Sequence, residues 1–243
     1  MLNFCLQSLF REYGWQFFWR VVAPHPVRTA KALLYPGCRA FSGDMIATCG
    51  EEPGRILGGR QSIVGVGFCL KPMNPPCLSG RFNHDCHYLE RLLHSGIPDT
   101  PEAPDTPDCC RQCAIREIGI MALKAGAAFY IMTSARDILL DVFTPALHEG
   151  RFSSGLFVLC RYSLRPFALG LSASGIRGWL LPFERGDCRD YRTWLLADRG
   201  VKDEQTFISE RNRRIVSELL GNVAKEPDAI KKYKKRGNML CPE

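Results

Sequence analysis

No stretch of the 243 residues approaches the ~20 uninterrupted apolar positions a membrane-spanning helix needs, so no transmembrane segment is expected. The first twenty residues hold Phe4, Leu6, Leu9, Phe10, Trp15, Phe17, Phe18 and Trp19, but Arg11, Glu12 and Arg20 interrupt them. They lack a basic segment ahead of the apolar part and a small-residue cleavage site, which argues against an export signal. An amphipathic helix that docks on the domain or on a partner is the better reading. No glycine-rich loop ends in Gly-Lys-Ser/Thr, and the nearest approach, GRILGGR at 54–60, precedes a strand where nucleotide loops follow one. A nucleophile elbow and a Ser-His-Asp order are missing too. Excess charge is small: 32 basic against 25 acidic residues leave a formal +7. It gathers at Lys231, Lys232, Lys234, Lys235 and Arg236, where Tyr233 is the lone aromatic, so base stacking, and with it nucleic-acid binding, is not expected.

What is present is a chain 46% hydrophobic, enough to bury one sizeable core. Segments 63–69, 127–133, 156–160 and 176–183 are short, apolar and rich in β-branched or aromatic residues, as in strands buried on both faces. Helix-like stretches at 83–94, 113–125, 134–149, 162–174 and 188–199 alternate with them. That rhythm predicts right-handed βαβ units, hence an α/β fold with a mainly parallel sheet flanked by helices. An N-terminal helical or loop extension (1–50), a cysteine-rich α/β domain (51–200) and a C-terminal helix with a loose basic tail (201–243) complete the expected organisation. The segment 98–108 (PDTPEAPDTPD) has a proline every third residue and reads as a stiff solvated loop.

Twelve cysteines are the outstanding feature. A chain of this length does not need disulfide staples, and without an export signal a cytoplasmic location with reduced thiols is expected. Cys69 and Cys160 end two predicted strands, Cys77 follows in a proline-rich turn, and Cys188 lies just past the last strand. Cys110 and Cys113 open a predicted helix with C-x-x-C spacing. In parallel sheets ligands collect at the carboxyl ends of strands, where helix N-termini favour thiolates. Cys69, Cys77, Cys110, Cys113, Cys160 and Cys188 are therefore the candidate ligands of one metal or iron–sulfur site. Structural zinc normally takes two close cysteine pairs, whereas here only one close pair exists, which favours an iron–sulfur cluster (4Fe-4S) over zinc. Cys38 and Cys49 read as turn and packing residues. In NHDCH at 83–87, His84 and His87 could share a helix face, though a polar helix start capped by Asn83 explains the segment as well.

Several of these motifs resemble a cysteine-rich family of anaerobic bacteria and archaea, the domain of unknown function numbered one hundred and sixteen. They are Cys69-Leu70, Cys77-Leu78-Ser79-Gly80-Arg81, the run Cys110-Arg111-Gln112-Cys113 leading into Arg116-Glu117-Ile118, the strand and turn at 129–134, Leu159-Cys160, and Gly186-Asp187-Cys188. The resemblance covers about residues 63–197 and implies iron–sulfur binding without implying a reaction. The family pattern departs here in having Pro107 and an extra Cys109, which leaves the ligand set open.

The expected function is an iron–sulfur protein with a redox or cluster-dependent role in anaerobic metabolism, served by a redox partner or one docking on the N-terminal aromatic helix. The alternatives are a zinc-stabilised binding module and a thiol–disulfide oxidoreductase using Cys110 and Cys113.

Overall fold

The computed structural model describes residues 12–34, 39–41, 45–48, 57, 59–95, 106–221 and 233–243. Cys38, Cys49, most of the 54–60 loop and the proline run from 98 to 105 lie outside the described residues. Among the described residues, eight strands form one sheet: β1 (Arg39–Phe41), β2 (Met45–Thr48), β3 (Ser62–Gly67), β4 (Ala128–Met132), β5 (Ser154–Leu159), β6 (Arg177–Pro182), β7 (Tyr233–Arg236) and β8 (Met239–Pro242), in the order β1-β2-β6-β5-β3-β4-β8-β7. The central four, β6, β5, β3 and β4, run parallel. They are the four segments marked by their apolar composition. The hairpins β1–β2 and β7–β8 pair antiparallel on β6 and β4. The fold is α/β, as expected.

The helices are α1 (Glu12–Phe17, continuing as a π-turn to Val22), α2 (Pro26–Leu34), α3 (His87–Ser95), α4 (Asp108–Arg111), α5 (Ala114–Lys124), α6 (Ala135–Ile138), α7 (Thr144–Glu149), α8 (Arg161–Ser174), α9 (Tyr191–Asp198) and α10 (Glu210–Gly221). None is long and apolar enough to cross a membrane. A π-turn, Leu139–Phe143, joins α6 to α7, so Pro145 falls in the first turn of α7, where its missing N–H costs nothing. Ser134 caps α6, accepting from Asp137 N at 3.1 Å.

Strand residues alternate between two cores, the period-2 signature of a doubly covered sheet. Val64, Val66, Phe129, Ile131, Leu156 and Val158 pack under α5 residues such as Ile115 and Ile118. Ile63, Tyr130, Met132, Phe157 and Leu159 face Phe143, Phe167 and Leu171. Each fully buried large apolar side chain contributes about 1.5–3 kcal/mol, so this alternation fixes both register and layer order.

Three expectations are corrected. The basic tail is not loose from Tyr233 onward: it forms the β7–β8 edge, because Tyr233, Met239, Leu240 and Cys241 are buried and Tyr233 Oη donates to Leu123 O. Lys235 holds Asp85 and Glu90 at 2.7 Å each. Second, α3 begins at His87 rather than Asn83, because the Asn83 side chain accepts from Asp85 N (3.0 Å) and from Lys71 Nζ. Third, the divisions at 50 and 200 cut through the sheet, since β1–β2 and β7–β8 belong to it.

The strand order creates the place where a site forms. From β3 the chain moves to β4 on one side, and from β5 it moves to β6 on the other. The connections that leave the neighbours β3 and β5 therefore diverge at the carboxyl ends of these strands, leaving a crevice there.

Candidate functional site

Cys69 follows β3 in a short helical turn, and Cys160 follows β5 as the N-cap of α8, so the crevice carries a thiol on each side. Cys188 reaches it from the loop after β6. Gly186 makes that loop: its φ of +70° is left-handed, and a Cβ there would sit 2.1 Å from Gln205 O. The loop is pinned by Thr206 Oγ1 donating to Gly186 O (2.9 Å) and Glu184 N donating to Phe207 O (2.8 Å). Gly67 supplies room beside Cys69, since a Cβ would meet Phe183 Cζ at 2.9 Å and Cys69 Sγ at 3.4 Å.

These three cysteines line one cavity of ≈ 90 Å³ whose walls are largely apolar, with Phe143, Phe167, Phe183 and Trp194 among them and Asp187, Asp198 and Lys202 as its charged groups. Cys160 Sγ lies 2.9 Å from Ser163 Oγ and shares the cavity with Cys188. The Cys188 thiol, the Ser163 hydroxyl and the Ser163 N–H pull the Cys160 thiol below its ordinary value, against burial and the Asp187 charge. Its partner moves the opposite way: the hydrogen bond to Cys160 and burial hold Cys188 well above the thiol range. Burial, then Cys160, push Cys69 up to about 11. Burial raises the Asp198 carboxyl to about 6, although its Oδ1 accepts from Ala135 N at 2.6 Å.

The second group of thiols lies in loops beside α3 and α5. The turn after β3 places Cys77, whose N–H donates to Pro72 O at 3.0 Å. Cys86 immediately precedes α3, Cys110 sits in α4 and Cys113 is the N-cap of α5. Together they line a cavity of ≈ 150 Å³ with Lys71, Tyr88 and Arg91. Burial raises Cys86 to about 12, opposed by the N–H of Leu89. Burial raises Cys113 too, opposed by the N–H groups of Arg116 and Ile115. Burial and the neighbouring Cys109, whose Sγ is 3.7 Å away, raise Cys110.

Two polar groups of this cavity need a partner of their own kind. Lys71 is 1% exposed, and its ammonium donates to Asn83 O (3.1 Å) and to the Asn83 side chain, both neutral acceptors. Burial lowers its pKa, while Cys77, Cys86, Asp85 and Cys113 favour its charge. Tyr88 Oη is buried without a hydrogen-bond partner among the described residues, and the ring is flanked by Arg91 and Arg116. A buried cation and an orphan hydroxyl beside four thiols make a cavity that would be costly to leave without an anion.

The six cysteines singled out by sequence are thus divided between two cavities rather than gathered in one: Cys69, Cys160 and Cys188 in the first, Cys77, Cys110 and Cys113 in the second. Sequence reasoning missed Cys86 as a member of the second group; its signal was its place directly before an amphipathic helix. It also missed Lys71 and Tyr88. The pair His84 and His87 does not converge, since His84 bonds Ile131 O (2.8 Å) and Thr133 Oγ1 (3.2 Å) while stacking on Tyr130. No three His, Cys, Asp or Glu side chains among the described residues surround a point fit for one metal ion. All nine cysteines of the described residues are free thiols.

No known protein family, curated protein or solved structure matches the chain. The functional reading rests on this geometry.

Proposed function

We propose that the protein binds one four-iron, four-sulfide cluster through Cys77, Cys86, Cys110 and Cys113, and that it carries electrons. The observation that supports this is four thiols around one cavity that also holds a buried ammonium. A cubane seats each thiolate on its own iron, so its ligands stand around a volume. A single tetrahedral ion would instead draw the sulfurs to a point, and no such convergence exists among the described residues. Lys71 balances the negative charge of the thiolates, and the Tyr88 hydroxyl offers a hydrogen bond to sulfur; both favour the more reduced state. When bound, the cluster supplies a one-electron centre. The chain's part is to hold it, exclude water and set its potential. Cys69, Cys160 and Cys188 stay outside this ligand set.

Purification and iron–sulfide reconstitution without oxygen test the proposal. The expected product is brown, with four irons and four sulfides per chain. Cys86→Ser and Cys113→Ser lose the cluster, while Cys160→Ser and Cys188→Ser keep it. A colourless, iron-free but folded protein would overturn the reading, and one equivalent of zinc would replace it with a structural metal site.

A further inference from the structure

The strand-end thiols take no part in the proposed cluster, yet they occupy the crevice where this architecture places ligands. We propose that Cys160 and Cys188 are a redox-active dithiol that reduces small organic disulfides entering the apolar strand-end cavity. Four observations carry this. The two thiols line one cavity although 28 positions separate them in sequence, and each shifts the other's acidity, Cys160 down and Cys188 up. The Cys160 Sγ stands at the N-terminus of the fourteen-residue α8, within 2.9 Å of Ser163 Oγ, so a thiolate there is stabilised. Cys188 is the protonated member of the pair, as a resolving thiol should be before attack. The cavity offers aromatic walls for the body of a substrate and Lys202, beside Asp187 and Asp198, as the one basic group of its lining.

The chemistry balances within the site. The Cys160 thiolate attacks one sulfur of R–S–S–R, forming a Cys160–S–S–R mixed disulfide and expelling RS⁻. Asp198, a carboxyl near pH 6 in the same cavity, or solvent protonates that leaving thiolate to RSH. Cys188 then loses its proton to solvent and attacks Cys160 Sγ, closing the Cys160–Cys188 disulfide and expelling the second RS⁻, which takes a proton from solvent to leave as RSH. Two electrons leave the protein dithiol, and two reduce the substrate disulfide. A single turnover needs no other reductant. The inference is independent of the cluster, since it uses none of the cluster's ligands.

The test uses the whole 243-residue chain, fully reduced, and one equivalent of dithiobis(nitrobenzoate), an aromatic disulfide bearing carboxylates, followed by alkylation and peptide mass spectrometry. The wild-type chain is expected to release both nitrothiobenzoates, with the Cys160–Cys188 disulfide as the main oxidised product. Cys188→Ser should release only one and hold the other on Cys160; Cys160→Ser should do neither at this site. A different cysteine pair oxidised first in the wild type would overturn the proposal, a result that requires no variant to fold. So would loss of iron in Cys160→Ser or Cys188→Ser, because those thiols would then be ligands. Iron absent from every form, with the Cys160–Cys188 disulfide still formed, would sink the cluster reading and leave this one standing.

Discussion

The two thiol cavities are built from the same residue type and differ in how the backbone delivers it. At the strand ends, Cys69 and Cys160 are carried on neighbouring parallel strands, and Cys188 on a loop fixed by Gly186 and Thr206. Hydrogen-bonded strands and a pinned loop leave little freedom, and the three sulfurs line one cavity. In the second cavity, Cys77, Cys86 and Cys110 come from turns and from a four-residue helix, and only Cys113 caps a long helix. There the sulfurs ring a space, with a lysine buried in its wall. Thiols that shift each other's acidity suit two-electron sulfur chemistry; thiols spread around a cation suit a polynuclear guest. The same contrast makes one cavity preformed by the sheet and leaves the other dependent on what it holds.

The largest expected effect sharpens that last difference. Iron removal by a chelator should collapse amide-exchange protection in α4 and in the turn around Cys77 by orders of magnitude, while β3 and β5 keep theirs. Equal loss in both regions would break the contrast. Next comes Gly186→Ala, which places a methyl against Gln205 O in a left-handed backbone; a loss of about 2–4 kcal/mol in denaturant unfolding is expected. It should also slow disulfide closure at Cys188 without lowering iron content.

A smaller effect, of opposite sign, is expected at Asp198. Its folded pKa lies above the unfolded one, so the native state holds the extra proton and stability falls as pH rises from about 4 through about 6. Asp198→Asn should therefore stabilise the protein at pH 7 by up to about 3 kcal/mol and change little at pH 3, read from paired urea titrations. The smallest effect concerns Cys160, whose alkylation should inflect below the ordinary thiol value of 9.0 because Cys188 and Ser163 donate to its sulfur, with Asp187 opposing. Removing one donor in Cys188→Ser should raise that inflection and slow alkylation about tenfold at neutral pH. An unchanged profile would show that the two sulfurs do not interact.

Much of the architecture was legible because it follows from local chemistry. Short runs such as IVGVG and LFVL read as strands buried on both faces, and the glycines after α5 and α8 mark where those helices end. The hairpins were not legible. Residues 233–236 are three-quarters basic and look like a solvated tail; they pair with β8, which itself lies on the edge of β4, and Tyr233 finds a buried site over α5. Individual cysteine positions at strand ends were readable for Cys69 and Cys160, whereas Cys86 looked like one polar residue in a helix start.

By itself, then, the amino-acid order determined which segments are strands and helices and that thiols would cluster where strands finish, since periodicity and capping act over a few residues. Which thiols meet was decided by the tertiary structure. Strand order sent Cys69 to Cys160 and Cys188, turned Lys71, two residues further on, toward Cys77 and Cys86, and so split one apparent set into two. Contacts between residues tens of positions apart depend on the packing of the whole sheet, and local pattern does not encode them.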